Sequence, residues 1–506
     1  MSGLVIVPIL LPLVTALVMA AGGLRRVGPW QQPVSTLSVL ALAIVAAVLL
    51  DHAAAGKLAV YQIGDWPPRY GIVLVLDRLS ALMVLLTAVV AACSLIYGFG
   101  GADRDQGSFH VLFHFQLAGL NAAFLTGDLF NLFVAFELLL IASYALLMHG
   151  AGPERSRAGL HYAVINLVGS SLFLIAIGLI YGVTGRLNMA DLAAWTANTD
   201  LAQQPVLRVA GAMLLVVFGL KAALAPLYPW LPSAYGAASA PVAALFSIMT
   251  KVGIYAMLRM WVLITPGRLG GEVGAGLLIV GMGTLFLGNF GAIASTQLRR
   301  TIGYLLIGSV GTLVIALAIG TAHSIAAGLY YLLHSTLLAA ALFLLADLVA
   351  QQRGPIGDAL RAGPRVAQPV LLGLGFLVAA AAYAGLPPFS GFIGKLLILQ
   401  SAWGSVHGSW IWATVLVTGL FATIALSRAG SMLFWKSEAP PGGGAVLAVR
   451  TAPVLALLAL SVALAAIAGP VMDYADATAR QLLDRDRYLT AVLGAPPSGA
   501  TGSHKP

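Results

Sequence analysis

The sequence predicts an all-α polytopic membrane protein of about 14 transmembrane helices, with two inverted five-helix repeats and broken helices 7 and 12. Three observations predict it. Of 506 residues, 60% are hydrophobic and only 9% charged, giving a mean hydropathy of +0.94, a balance foreign to soluble enzymes. Apolar runs of about twenty residues, the length that crosses the hydrocarbon core, recur along the whole chain. Prolines and glycines interrupt two of these runs beside lysines.

In chain order the runs lie near 3–22, 32–50, 71–98, 109–126, 129–149, 158–183, 207–230, 240–264, 273–295, 300–320, 324–350, 368–402, 408–433 and 449–470. Their connectors are short and marked by Gly, Pro or charge, as in Gly150 to Pro153 and Gly354 to Pro364. Met1 to Ala21 ends in small residues like a cleavable leader, but Arg25 and Arg26 follow the apolar stretch instead of preceding it. This reads as a retained first helix that starts outside. Arg104, Arg155, Arg157, Arg299, Arg300, Arg353, Arg361, Arg365, Arg428 and Lys436 fall on the same side as Arg25 and Arg26. The opposite loops carry only Lys57, Arg69, Arg186, Arg208 and Arg268. The asymmetry puts the basic loops in the cytoplasm and both termini outside a bacterial inner membrane. After about residue 471, a polar stretch with a Gly/Pro/Ser-rich end reads as a short surface helix followed by disorder. The organisation is therefore 1–105 with spans 1–3, a core of 106–434 with repeats near 109–264 and 273–433, and 435–506 with the last span and tail.

The composition also excludes several classes. The net charge of +9 is spread through short loops and forms no patch, so no nucleic acid is expected. The single Cys93, beside Ser94 in an apolar stretch, supports neither disulfides nor a cysteine metal site and reads as a buried filler. No GxxxxGK[ST] string occurs, and glycine-rich helices without a preceding strand point to close helix packing. The nine His residues show no HExxH-like pair, so neither a metal nor any cofactor is expected, and no hydrolase triad is legible.

The candidate site consists of five ionisable residues set singly inside apolar runs: Glu137, Lys221, Lys251, His334 and Lys395. Each charge at the centre of a span costs roughly 2.5–3.5 kcal/mol even on the mildest scale, which points to ion or proton handling. Glu137 lies mid-span, where a carboxylate protonates, finds a cation, or pins two helices as a neutral acid. Lys221 precedes Pro226, Pro229 and Pro232. Proline at 226 frees a carbonyl beside the lysine, so a broken helix presents charge and backbone oxygens together; a kinked helix with a snorkelling lysine is the alternative. Lys251 shares a helical face with Ser247 and Tyr255, and Arg259 continues it toward the helix end as an anchor or a functional group. His334, one turn after Tyr330 and Tyr331, suits a relay, with a satisfied core histidine as its rival. Lys395 follows Pro387, Pro388, Gly391 and Gly394, a second helix break. His323 and Asp347 read as ordinary interface residues.

These strings carry a resemblance. TGDLFNLFVAFELLLIASYALL, GLKAALAPLYPWLPSAYGAASAPVAALFSIMTKVGIYAMLR, GLYYLLHSTLLAAALFLLADL and GLPPFSGFIGKLLIL resemble the antiporter-like subunits of respiratory complex I, membrane hydrogenases and Mrp-type cation/proton antiporters. HYAVINLVGSSLFLIAIGLIYGVTGRLNMADLA is similar to the MrpD branch of the Mrp group. The resemblance implies that Glu137 and Lys221 form the carboxylate/lysine pair of the fifth and seventh helices. It likewise implies that Lys251 is the eighth-helix relay, His334 the histidine region and Lys395 the distal exit lysine. Where many relatives have an acid in WLPDA, this chain has Ser233, which removes a loop carboxylate from proton entry.

The expected function is that of a transporter subunit: proton movement along a buried Glu/Lys/His relay, coupled to Na⁺ or K⁺ exchange, in a hetero-oligomer with other Mrp subunits embedded in the lipid bilayer. Two rivals are a proton-pumping subunit of a complex I-type or hydrogenase redox complex, and a structural membrane subunit whose charges hold partner helices.

Overall fold

The computed structural model describes residues 2–23, 30–99, 101–102, 108–150, 152–200, 203–264, 272–444 and 448–494. Arg25, Arg26, Arg104 and Arg268 of the orientation argument, and the Gly/Pro/Ser-rich end of the chain, lie outside the described residues. Among the described residues, eleven helices are long and apolar enough to cross a membrane, and three shorter apolar helices, Val7–Ala21, Phe109–Leu125 and Pro369–Ala384, complete the expected fourteen. Numbered in chain order as spans, the sixth is Pro153–Thr184, the seventh begins with Pro205–Ala222, and the eighth is Ala240–Ile264. The tenth is Leu298–Ile319 and the eleventh Ala322–Gln352.

Four spans form the interior. The third (Arg78–Gly98), eighth, tenth and eleventh are almost wholly buried, whereas the second (Gln31–Ala54), sixth, ninth (Val273–Ala294) and thirteenth (Gly408–Trp435) turn Leu37, Ile44, Leu160, Val168, Ile279 and Leu420 outward. In water such exposure would be an aggregation hazard; on a multi-pass membrane protein an apolar outer face is the ordinary surface. Glycine permits the closest approach, between the ninth span (Val273–Ala294) and the tenth. A Cβ on Gly288 would come within 2.5 Å of Gly308 N, and one on Gly311 would strike Leu285 N. Small residues allow backbones to touch where lipid offers helices no hydrophobic drive to associate.

Local chemistry moves some expected boundaries. The third span starts at Arg78, not near 71, because Asp77 and Ser80 close a reciprocal capping box, with Ser80 N donating to Asp77 Oδ1 and Asp77 N to Ser80 Oγ, both at 2.8 Å. The preceding Val73–Leu76 becomes a strand paired antiparallel with Ala59–Gln62, Ala59 opposite Leu76. The tail beyond 471 is more than a single surface helix. Ala468–Leu483 and Arg485–Leu493 form two helices that bury Ala475, Ala479, Leu482, Tyr488 and Val492 against the bundle. Cys93 is only half-buried.

Candidate functional site

The seventh span breaks beside Lys221, as the prolines predict. Pro205–Ala222 ends on Ala223, held in the left-handed region at φ 61°, and the chain resumes as Trp230–Ala237 after a cis Ala225–Pro226 bond. Other elements take up the loosened polar groups: Ala225 N donates to Thr284 Oγ1 of the ninth span at 2.9 Å, and Trp230 Nε1 to Leu220 O at 3.3 Å. Lys221, 5% exposed, aims its ammonium at the sixth span, donating to Asn166 O and Ser170 Oγ at 3.2 Å each.

Glu137 lies in the fifth span, Leu129–Met148. Its carboxylate is within electrostatic reach of Lys221, but no ion pair joins the two: Glu137 Oε1 is buried with no hydrogen-bond partner, while Lys221 is held by the sixth span. The two groups sense each other without neutralising each other by contact. A charge change on one therefore acts on the other through space, at several kcal/mol for about 4 Å and intermediate dielectric and less at longer range.

Lys251 is sealed in the eighth span at 0% exposure, and its Nζ has no hydrogen-bond partner. This span is also irregular, a feature that no proline or glycine announces. Between Ala240–Phe246 and Met249–Ile264 the chain tightens to short-range bonds, Ser247 N to Ala244 O and Ile248 N to Leu245 O, both 3.2 Å, and Phe246 O accepts from Tyr235 OH at 2.9 Å. The expected polar stripe is partly consumed by structure. Ser247 donates to Thr336 O and Tyr255 to Phe124 O. Gly253, two residues on, presses against the end of the seventh helix; a Cβ there would meet Ala222 N and Phe218 O at 2.8 Å. That contact brings the Lys251 helix up to the Lys221 break.

His334 and Lys395 meet at the second break. Pro369–Ala384 ends on Gly385 at φ 86°, a cis Pro387–Pro388 bond follows, and Ser390–Ser401 continues the twelfth span. His334 Nδ1 lies 2.8 Å from Ser390 Oγ, which donates on to Ser461 O of the last span at 2.9 Å. Lys395 reaches back across the break and donates to Tyr383 O and Ala384 O at 3.0 Å, capping the carbonyls that the broken helix leaves open. Gly391 is required where it stands, since a Cβ would run into Ala382 O and fall 2.8 Å from His334 Nε2. A small cavity beside Lys395 is lined by Leu285, Val415, Gly308 and Gly419 together with Asn289, Thr312, Tyr331, Tyr383 and Thr418, and the surface it exposes is mostly apolar.

The structure therefore joins His334 to the twelfth-span break through Ser390, sets Lys251 between the two breaks, and leaves Glu137 facing Lys221 without contact. Pro226, Pro387 and Pro388 all sit in the breaks. Arg259 is neither a snorkelling anchor nor unpaired. It is 3% exposed and clasps Asp77, donating from Nη2 to Asp77 Oδ1 at 3.0 Å and to Tyr255 OH at 3.1 Å, with Tyr488 of the tail over its guanidinium. Burial alone would raise the Asp77 carboxyl, but the arginine outweighs it and holds the group below its ordinary range. Asp347 is likewise more than a boundary residue: it accepts from Arg299 at 2.5 Å, Tyr97 OH at 2.7 Å and Gln351 at 2.6 Å. His323 sits at the surface, 3.9 Å from Asp476. Ser233 donates to Trp230 O at 3.0 Å and so closes its own turn. Sequence reasoning passed over His110 and His114 of the fourth span, although HVLFH puts two imidazoles four residues apart on one helical face. It also passed over Gln31 and Gln116, lone amides in apolar surroundings.

An acid, three lysines and an imidazole set on five different spans, two of them interrupted beside a lysine, mark a multi-pass membrane protein with ionisable groups inside its bundle. The chain belongs to the family described as NADH:quinone oxidoreductase/Mrp antiporter, TM, whose model matches residues 126–423. It is 40% identical to a Rhizobium meliloti protein named as a probable K⁺/H⁺ antiporter subunit of the D type, over 98% of each chain. It is 36% identical to the D-type Na⁺/H⁺ antiporter subunit of Alkalihalophilus pseudofirmus, over 97% of this chain and all of that one. Among solved structures, a chain of the Mrp complex from a Dietzia species superposes with a TM-score of 0.88 at 27% identity, over 98% of this chain and all of that one.

Proposed function

We propose that this chain is the proton-translocating subunit of a multisubunit monovalent cation (Na⁺ or K⁺)/proton antiporter, acting as a transporter subunit and not as an enzyme. The observation that carries the reading is Lys251. A completely buried ammonium with no hydrogen-bond partner has no structural reason to be there, since removing it would relieve a desolvation penalty. Its position between two interrupted helices, each with its own lysine, gives it a role as the middle station of a relay.

In this reading a proton reaching Glu137 changes the field at Lys221 across a gap that no contact bridges. Lys221 lets go of the Asn166 carbonyl and the Ser170 hydroxyl, passes its proton by transient water to Lys251, and the charge moves on to the His334–Ser390 pair. Lys395 completes the line at its own break, where it is held by Tyr383 O and Ala384 O. Lys221 and Lys395 stay bound to backbone or hydroxyl oxygen when charged and release it when neutral, so at the two breaks proton position and side-chain position change together. Proton flow down its gradient supplies about 2.3 kcal/mol per charge per 100 mV, which drives the cation the other way. The relatives' names, one for K⁺ and one for Na⁺, and the solved Mrp assembly support a hetero-oligomer in a bacterial inner membrane, and the asymmetry of the basic loops is the ground for putting both termini outside. Residues 106–434 would hold the working core.

The test is cation-dependent dissipation of a proton gradient in everted vesicles carrying the whole complex. Replacing Lys251 by Ala should abolish exchange with the complex still assembled. Parental exchange in that variant would overturn the relay.

A further inference from the structure

The sixth span does more than hold Lys221. Tyr162, Asn166 and Ser170 recur on it at helical spacing and share one side, and the last two bind the Lys221 ammonium. The fifth and sixth spans are consecutive and run antiparallel, so the stretch from Tyr162 to Ser170 follows the same direction as the stretch from Tyr144 back to Glu137. The two helices are pinned where these stretches start. Ser143 Oγ lies 2.9 Å from Tyr162 OH, and the Tyr144 ring meets the Tyr162 ring edge-on at 5.2 Å between centroids. Tyr144 therefore stands at a corner between Glu137 on its own helix and the face that holds Lys221.

Tyr144 OH is buried without a hydrogen-bond partner, and so is Glu137 Oε1. Their spacing in the chain is two helical turns, which puts both side chains on one side of the fifth span, with Leu140 and Ile141 flanking the line between them. The Cα atoms are about 10.5 Å apart along the axis. Helical side chains lean toward the N-terminus, so the Tyr144 phenol leans toward Glu137, and it lies within electrostatic reach of that carboxyl. Buried polar groups keep partners, and one water touching both would satisfy both. A phenol donates and a charged carboxylate only accepts, so the arrangement favours the charged acid.

The other ionisable groups at this corner are Tyr162 of the sixth span and Lys221 of the seventh. Tyr235 lies behind Trp230, whose ring separates it from Tyr162. Where the fifth and sixth spans join, His149 is held by Ala102 O and Arg155 by Ala237 O. The fourth span packs on the opposite side, through Gly119 against Leu139. Its His114 turns to Ser35 of the second span, and its His110 lies against Phe99 and Phe109.

We propose that Tyr144 is a positioning residue for Glu137: through a bridging water its phenol steadies the charged carboxylate and so sets how often Lys221 faces a negative charge. The assignment rests on the exchange reading above. It gives the Glu137–Lys221 pair a third member that carries no charge of its own.

Tyr144→Phe keeps the ring against Tyr162 and removes only the donor. In the purified, assembled complex, the C=O stretch of protonated Glu137 is followed against pH by difference infrared spectroscopy and assigned by its absence from Glu137→Gln. Without the donor less of the carboxyl is charged at a given pH, so the band should persist to a pH about one unit higher. Exchange near neutrality should fall about three- to tenfold, since one unit changes the charged fraction by at most a factor of ten. Tyr162→Phe, which removes the hydroxyl bound to Ser143, should leave the band's titration in place. An unmoved titration in Tyr144→Phe, or an equal move in Tyr162→Phe, overturns the assignment, and the relay still stands if Lys251→Ala abolishes exchange. A moved titration in Tyr144→Phe with parental exchange supports the contact and overturns the use of Glu137 by the relay.

Discussion

The two interrupted helices solve one problem in two ways. In the seventh and twelfth spans alike, an apolar helix ends on a residue of positive φ and a cis proline bond follows before the second segment begins. In the seventh, the lysine sits on the first segment and reaches sideways to the sixth span, so its partners belong to another helix. In the twelfth, the lysine sits on the second segment and folds back to cap the first, so its partners belong to its own span. Lys221 can therefore be released by a shift between helices or by the charge on Glu137, while Lys395 is tied to the geometry of its own break. The comparison teaches that the order of lysine and proline decides whether a buried cation answers to a neighbour or to itself.

Five variants test that lesson, three single and two double. Lys221→Ala and Lys395→Ala should each lower exchange by roughly 100-fold or more, as loss of a proton-transfer group does. They should separate when combined with Glu137→Gln: a coupled pair shows no further loss with Lys221→Ala, while the pair with Lys395→Ala stays independent, read as a double-mutant cycle of vesicle exchange rates.

Arg259→Ala sharpens the contrast with a charge that the bundle does pair. Leaving Asp77 buried alone should cost about 3–5 kcal/mol of stability, read as thermal inactivation of the purified complex. The pH dependence should also change sign. In the parent, Asp77 is held below its unfolded value, so its contribution is complete above the unfolded value near 3.8 and is lost as pH falls through the lower folded value. Without Arg259, burial raises the carboxyl, the folded state binds the proton more tightly, and stability recovers as pH is lowered toward about 4.

Gly391→Ala acts on the twelfth-span break alone. Its methyl would collide with Ala382 O and His334 Nε2, and overpacking of this kind typically costs about 1–3 kcal/mol. Exchange should fall, and the purified complex should melt at a lower temperature than the parent. The smallest effect belongs to Ala223→Gly. Alanine at φ 61° is strained where Gly385 is not, and relieving about 1–2 kcal/mol of left-handed cost against the extra chain entropy of glycine should raise the melting temperature slightly with exchange intact.

Much of this was legible beforehand because each signal was local. Glu137, Lys221, Lys251, His334 and Lys395 stand out as single charges in apolar runs, and Pro226, Pro387 and Pro388 mark the breaks by their missing amide hydrogens. Other features were hidden because their cause lies elsewhere in the chain. The interruption at Ser247–Ile248 is stabilised by Tyr235 from an adjacent helix. The start of the third span depends on a capping box that hydropathy ignores, and Arg259 looked like an anchor because Asp77 is 182 residues away. The polar face of the second and fourth spans escaped notice because serine and glutamine cost little on a hydropathy scale.

Alone, the amino-acid order determined that this chain enters a bilayer, roughly where it crosses, and which ionisable groups it carries there, because hydrocarbon filters residues one by one. Only the tertiary structure decided which of those groups are satisfied. Asp77 neutralises Arg259, Ser390 and the last span hold His334, and nothing within hydrogen-bonding distance holds Lys251. Whether a buried charge finds a partner depends on helices brought together from distant parts of the chain, which the order of residues along it does not fix.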